Sequence, residues 1–510
     1  MSAKTPPPSS PDLQYLLAQI QAKEKQREDQ QGLGRPIISA EMNETRFVAV
    51  NNTVLYSKRW KTFHDFLSQY VKNVLDSDWG TAELGKPLEQ RHPILVWYQH
   101  LCLYQKKFFQ KQGEIFSAPM TGAVAAWLSL AYDLYTLAHN AELQKKLINR
   151  IKNVNLFPGA RYETFVAAAF IRAGFEIEFE NEDDRATTHC EFTATHKKSG
   201  RKYSIEAKQR NPDDNVEGAS ARFRLGRRLH KALSKFAKYP RIVFIDINVP
   251  DAIVHKEIPD YLHKALSNIR QSEGRNLKGQ LAKSLPSAYV FLTNQPHGHN
   301  LESLALPCVI LAEGFQIPDF KHDTPFQSLR EAHKTRGKHK DMHDLLTSMQ
   351  RHSEVPATFD GDSPEIAFGE HPHRLIIGQN YLVPTSDGTD RLGKLTTACV
   401  NERESTVYAA YHLDNGESVI VTHPLSEGEL AAYKRHPDTF FGAKINPSRK
   451  IETPMEAFDF FLNLYRTAPR EKLLEHMANQ PDIESLRSLS QEDLAEVCSE
   501  RFAYGIMLKK

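Results

Sequence analysis

Apolar residues recur along this chain at two spacings, and the spacing changes near Phe157. Before that point they return every three or four residues, as in "KRWKTFHDFLSQYVKNVL", "HPILVWYQHLCLYQKKFFQK" and "AAWLSLAYDLYTLAHNAELQKKLINRI". That is the period of a helix with one buried face, so residues 36–155 read as a helical domain. Residues 1–35 read as a Pro- and Ser-rich disordered lead, "MSAKTPPPSSPD", and a charged exposed helix that stops at "GLGRP". From 156 to 320 helices alternate with apolar strands. "PGARYETFVAAAFIRAGF" is a helix with Pro158 at its entry and Gly174 at its exit. A strand "EIEFE", a hairpin over 190–210, a basic helix over 219–238, "RIVFIDINV", a helix near 259–270 and "SAYVFLTN" follow. This order predicts an α/β domain whose mixed sheet is covered on both faces.

Residues 321–370 are basic, rich in histidine and poor in apolar period, and read as a linker with one exposed helix. Over 371–448 the segments "YLVPT", "GKLTTACVNE" and "STVYAAYHLDNGESVIVTHPL" alternate every second residue, and Asn415-Gly416 is a strong hairpin turn. A small β-rich domain is expected there, with a return to helix over 449–510. The fold class is multidomain α/β.

Composition narrows the function classes. At 510 residues the chain is too long for one ordinary core. Its net charge of +2 means that any polyanion partner must be argued from local patches. The five cysteines are scattered without a Cys-x-x-Cys pair, which argues against a disulfide framework and a cysteine zinc site and fits a reducing cytoplasm. The most apolar stretch, "TGAVAAWLSLAYDLYTLA", is interrupted by Asp133 and reads as a buried helix, since a membrane span needs roughly 20 mostly apolar residues. Histidines gather at 297 and 299, at 322, 333, 339 and 343, and at 371 and 373. None forms a helical His-x-x-x-His with a glutamate, which speaks against zinc. Neither a G-x-S-x-G elbow nor a Walker phosphate loop occurs.

The hairpin, "CEFTATHKKSGRKYSIEAKQR", carries the candidate chemistry. A two-residue Ser199-Gly200 turn would set Lys208 opposite Glu191 and Glu206 opposite Thr193. Strand alternation then puts Glu191, Thr193, Ser204, Glu206 and Lys208 on one face and Phe192, Ala194, Tyr203, Ile205 and Ala207 on the other. Glu191 and Glu206 become diagonal neighbours roughly 7–8 Å apart, a gap that two carboxylates can close around a hard cation. Lys208 beside that ion could hold a phosphate or polarise a water. The same residues also suit a solvated charged strand.

"IEAKQR" resembles the E-x-K element of the PD-(D/E)XK nuclease superfamily, the restriction-endonuclease-like fold, and the order helix, strand, acid-bearing strand, E-x-K strand, helix, strand is similar over 157–250. The resemblance, extended to about residue 320, implies a metal-binding role for Glu206, a catalytic role for Lys208 and a supporting one for Gln209. Glu191 matches the acid of the preceding strand, where the family more often has Asp, frequently after Pro; here the context is "HCEF", and Asp183 or Asp184 in "ENEDDR" is the alternative ligand. Glu163, in "RYETF", matches an additional acid on the first helix, or is simply an acid favoured at a helix N-terminus. The cofactor implied is Mg2+ or Mn2+.

In "ARFRLGRRLHKALSKFAK", Leu225, Leu229, Leu233 and Phe236 form one stripe, while Arg222, Arg224, Arg227, Arg228, Lys231, Lys235 and Lys238 supply the cations. Following the E-x-K strand directly, this helix is expected to grip nucleic-acid phosphates, its bland alternative being a solvated face. The expected protein is a cytoplasmic, magnesium-dependent endonuclease, acting on DNA in preference to RNA, without a membrane. A chain that cuts twice would favour a homodimer, and the helical and β-rich regions could bind a protein partner. Two rivals stay open: a catalytically inactive nucleic-acid-binding or assembly protein that retains the nuclease fold, and a protein-interaction scaffold.

Overall fold

The structure, a computed structural model, describes residues 11–108, 113–180, 190–210, 225–250, 260–273, 285–321, 323, 325–369, 374–385, 388–444 and 451–507. The chain divides into two compact units, Met1–Gln316 with Leu345–Asn446, and Ile317–Asp344 with Pro447–Lys510.

After helix α1 (Pro11–Gln31) the chain forms three short strands, β1 (Ile38–Met42), β2 (Thr45–Val50) and β3 (Thr53–Ser57), paired antiparallel in that order. This corrects the wholly helical expectation for 36–155. "TRFVAV" alternates over only six residues, and Asn43, Glu44 and Asn51 make the tight turns with positive φ, a conformation that short polar side chains tolerate. The expected helices follow: α2 (Phe63–Leu75), α3 (Ser77–Leu84), α4 (Pro93–Phe108), α5 (Gly122–Asn140) and α6 (Lys145–Lys152). Thr62 and Asp65 close a reciprocal cap on α2, which buries Phe63, Phe66, Tyr70 and Val71. α5 is buried on nearly every side, and Asp133 at its centre accepts from Arg161 at 2.8 Å and Arg172 at 2.9 Å. A lone buried carboxylate would be costly; two guanidiniums offset it and tie α5 to α7 (Phe157–Arg172).

α7 opens the central α/β region, followed by β4 (Phe175–Phe179), β5 (Phe192–His196), β6 (Lys202–Gln209), α8 (Leu225–Leu233), β7 (Arg241–Asp246), α9 (Asp260–Glu273), β8 (Ala288–Asn294) and β9 (Val309–Phe315). The six strands lie in sequence order. β4, β5 and β6 are antiparallel, β6, β7 and β8 parallel, and β9 antiparallel to β8, so the sheet is mixed. One face packs Phe192, Phe244 and Phe291 against Phe170 of α7, with Phe244 and Phe291 stacked at 4.8 Å. The other buries Val243, Ile245, Val290 and Leu292 under Leu225, Leu229 and Leu233 of α8 and Leu262 and Ile269 of α9.

The segment expected to be a linker with one exposed helix instead holds α10 (Leu329–Lys338), α11 (Lys340–Arg351) and the short α12 (Pro364–Ala367). Met342, Leu345 and Met349 recur at helical spacing and are buried, an amphipathic period diluted by the surrounding charge. The β-rich region is an antiparallel sheet, β10 (Asn380–Pro384), β11 (Asp390–Asn401), β12 (Thr406–Leu413) and β13 (Ser418–Pro424), followed by α13 (Glu427–Arg435). Its inner face (Val383, Leu395, Val407, Tyr411) packs with Phe440 and Phe441, while Leu382 and Ile420 stand exposed on the outer one. α14 (Pro454–Tyr465), α15 (Arg470–His476), α16 (Ile483–Arg487) and α17 (Gln491–Met507) form the expected helical end around Phe458, Leu462, Leu494 and Cys498. Among the described residues no helix is long and apolar enough to cross a membrane.

Candidate active site

β5 and β6 form the expected hairpin with a different turn. The loop takes four residues, Lys197 to Gly200: Gly200 N–H donates to His196 O at 2.8 Å and His196 N–H to Arg201 O at 2.9 Å. The His196 ring decides this, since its Nδ1 accepts from the Ser199 N–H at 3.3 Å and pairs with the Ser199 hydroxyl at 3.0 Å, while Gly200 supplies φ +68°. Phe192 therefore lies opposite Ile205, and Thr193 opposite Ser204 rather than Glu206. The register is displaced by two residues from that of a Ser-Gly turn. Because strand side chains alternate with period two, an even displacement leaves every side chain on its expected face.

Glu191 stands one residue ahead of β5, its N–H donating to Ile205 O at 2.9 Å. Its carboxylate meets Lys208 Nζ at 3.2 Å, and Lys208 also pairs with Glu206. Glu191, Glu206 and Lys208 are thus brought together as the spacing predicts. A second ammonium completes the group. Lys235 Nζ lies 3.3 Å from Glu191 Oε1, 2.7 Å from Glu206 Oε1 and 2.9 Å from Glu206 Oε2. The face is not solvated: the Glu206 side chain is 2% exposed. Burial pushes the Glu191 carboxyl up, but Lys235 and Lys208 outweigh it and hold it below the ordinary range. Burial and the Glu191 charge keep Glu206 above that range despite both lysines. For Lys235, burial opposes the charge, and the two carboxylates more than compensate, raising it.

Glu163, on α7, is held by Arg150 Nη2 at 2.6 Å. Burial and the Glu191 charge push it up to about 7 in spite of that guanidinium, which marks it as a neighbour of the cluster, paired elsewhere. Gln209 points to the other side of the sheet. Its Nε2 donates at 2.9 Å to Asp246, a fully buried carboxyl at the end of β7 that also accepts from Thr293 at 3.2 Å; Thr293 in turn pairs with Tyr162 at 2.8 Å. Burial lifts Asp246 to about 6. The sequence reading passed over Asp246, whose signal was an acid closing an otherwise apolar strand, "RIVFID".

The basic helix is shorter and less free than its composition suggests. Asp183, Asp184, Arg222 and Arg224 lie outside the described residues, as do His322, His371 and His373. α8 ends at Leu233, so Phe236 leaves the apolar stripe and is 61% exposed. Arg228 donates to the Gln209 carbonyl at 2.6 Å, and Lys235 turns back to the carboxylates. These two therefore brace the sheet, a correction to their expected place on a phosphate-gripping face. Arg227, Lys231 and Lys238 are exposed.

Two carboxylates converging on one point offer hard oxygen donors, which suits Mg2+ or Mn2+. Among the described residues no three His, Cys, Asp or Glu close on a common point. Magnesium is commonly held by one or two carboxylates, with water and phosphate filling the remainder, so the pair present is sufficient. No protein-family model, curated protein or solved structure matches this chain.

Proposed function

We propose that the central domain is a metal-dependent nuclease of the restriction-endonuclease-like fold that hydrolyses phosphodiester bonds, in DNA ahead of RNA. The observation that carries this reading is the meeting of Glu191, Glu206 and Lys208 at the end of one strand, beside a helix bearing exposed cations. Glu191 and Glu206 would hold Mg2+ or Mn2+, which when bound supplies charge for the phosphate and a more acidic water. Lys208 donates to a phosphate oxygen or orients the attacking water. Glu206, fixed by burial, sets the position of Lys208. Arg227, Lys231 and Lys238 neutralise backbone phosphates without reading bases.

The test is incubation of the purified chain with plasmid, linear duplex, single-stranded DNA and RNA, each with Mg2+, Mn2+ or chelator, beside the Lys208→Met variant. Metal-dependent cleavage lost in the variant supports the reading; equal cleavage by both sinks it. One observation favours a second reading: two ammoniums already match the two carboxylates, as in a nuclease fold retained for binding alone. Binding of DNA without any cleavage in Mg2+ or Mn2+ would select it. In either case, replacing Arg227, Lys231 and Lys238 with Gln should flatten the slope of log affinity against log salt by roughly two to three.

A further inference from the structure

We propose that Lys235 is a built-in competitor for the divalent cation, a positioning residue that holds Glu191 and Glu206 until an ion replaces it. This rests on the metal-binding part of the reading above.

Lys235 lies two residues beyond α8, and its backbone is pinned on both sides. Its N–H donates to Ala232 O at 3.3 Å, closing the helix, and its carbonyl accepts from Arg241 Nη2 at 3.2 Å. The next carbonyl, of Phe236, accepts from Cys190 Sγ at 3.4 Å, fastening the segment to the residue before Glu191. The side chain is aimed at the sheet rather than at solvent. Its ammonium lies within 3.3 Å of both carboxylates and reaches both oxygens of Glu206.

An ion bound to both carboxylates at about 2.1 Å would occupy the same point, so the ammonium and the ion exclude one another. Lys208 bridges the same two carboxylates and must also give way to the ion, but it does so from the strand that carries Glu206, whereas Lys235 comes from a separate element and reaches both oxygens of Glu206. Once displaced, the Lys235 ammonium joins Arg227, Lys231 and Lys238 as a cation available to phosphate. Metal occupancy and grip on the polyanion are then coupled through one side chain.

The test is calorimetric titration of the full chain with Mn2+ alone, comparing wild type, Lys235→Gln and Lys202→Gln. Lys202→Gln removes the same charge from β6, the strand of Glu206, at its exposed end. Lys235→Gln should bind Mn2+ at least about tenfold more tightly, because a unit charge about 4 Å away is worth that much even at the dielectric of a protein surface. Lys202→Gln should stay within about twofold, its charge being screened at that distance. A second measurement needs no variant: acylation of wild-type lysines, read by mass spectrometry, should rise at Lys235 on saturation with Mn2+ and stay constant at Lys202. Should Lys235→Gln fail to fold, the acylation result decides alone. Unchanged or weaker binding by Lys235→Gln, constant labelling of Lys235, or no Mn2+ binding by any of the three proteins overturns the proposal. Plasmid cleavage separates the two readings. A wild type that cuts while Lys235→Gln gains no affinity refutes the competitor alone, and a tenfold gain without cleavage refutes the nuclease alone.

Discussion

The six-stranded and four-stranded sheets use the same strand chemistry to opposite effect. β12 alternates plainly: Val407, Ala409, Tyr411 and Leu413 are buried, while Tyr408 and His412 are exposed. β6 does not, for every residue from Tyr203 to Ala207 is buried, Ser204 and Glu206 included. The difference is coverage. A sheet packed on one face leaves its polar side chains to water, where they cost nothing. A sheet packed on both must match each of them internally. In the larger sheet each buried acid finds a partner: Glu206 the lysines, Asp246 Gln209 and Thr293, and Glu313 Arg270 at 2.9 Å. A polar residue on a doubly covered strand is therefore informative, and the same residue on a singly covered one is not.

Five substitutions press on this contrast. The largest effect is on chemistry: on the proposed nuclease reading, Lys208→Met and Glu206→Gln should each slow plasmid cleavage by at least about 100-fold, the usual scale for losing a positioned catalytic group. A nicking rate within a few fold of wild type would detach the buried charges from function. Next comes stability. Glu206→Ala leaves two ammoniums to share Glu191 in a half-buried cluster and should cost about 3 kcal/mol in urea unfolding, so alanine is not silent here as it would be on a solvated strand. A loss below 1 kcal/mol would mean that water reaches the cluster freely.

The third concerns pH. Asp246 holds its proton to about 6 in the folded chain, against an ordinary 3.8. The contribution of this carboxyl to stability, present below pH 4, should be lost as pH rises to 6 and then stay constant, a change on the order of 3 kcal/mol. Asp246→Asn should flatten that window; equal slopes for both proteins in urea midpoints would show that the carboxyl ionises as if exposed. The smallest effect is the control. Thr422→Lys, on the exposed side of β13, should change stability by less than about 0.5 kcal/mol, and a larger loss would show that this face is covered after all.

Periodicity in the sequence was enough for the strand-and-helix order from α7 to β8, the β-rich region and the helical end, because long periodic segments bury a face wherever they sit, but it passed over β9. It failed at β1 to β3, where each strand is too short to outvote neighbouring helices, and at α11, where charge masks the Met342–Leu345–Met349 stripe. Glu191, Glu206 and Lys208 were legible because their placement depends only on the parity of the hairpin. Gln209 and Lys235 were not. The face of Gln209 follows from the same alternation, but its partner, Asp246, lies on a strand 37 residues away, and the direction of Lys235 is set by where α8 ends. Both depend on tertiary context that spacing does not encode.

The four-residue turn has a consequence for how the hairpin reaches a single state. A hairpin slipped by two residues, as the Ser-Gly turn would produce, still sends Phe192, Ala194, Tyr203 and Ile205 into the core, so hydrophobic burial barely tells the two apart. The charges do. Slipping by two sets Glu191 opposite Lys208 instead of Glu206 and carries it roughly 7 Å along β6, away from the ammonium of Lys235, whose carbonyl Arg241 holds in place. The contact of Glu191 with Lys235 thus adds to the turn in fixing the alignment of β5 and β6, whether or not a substrate is ever bound.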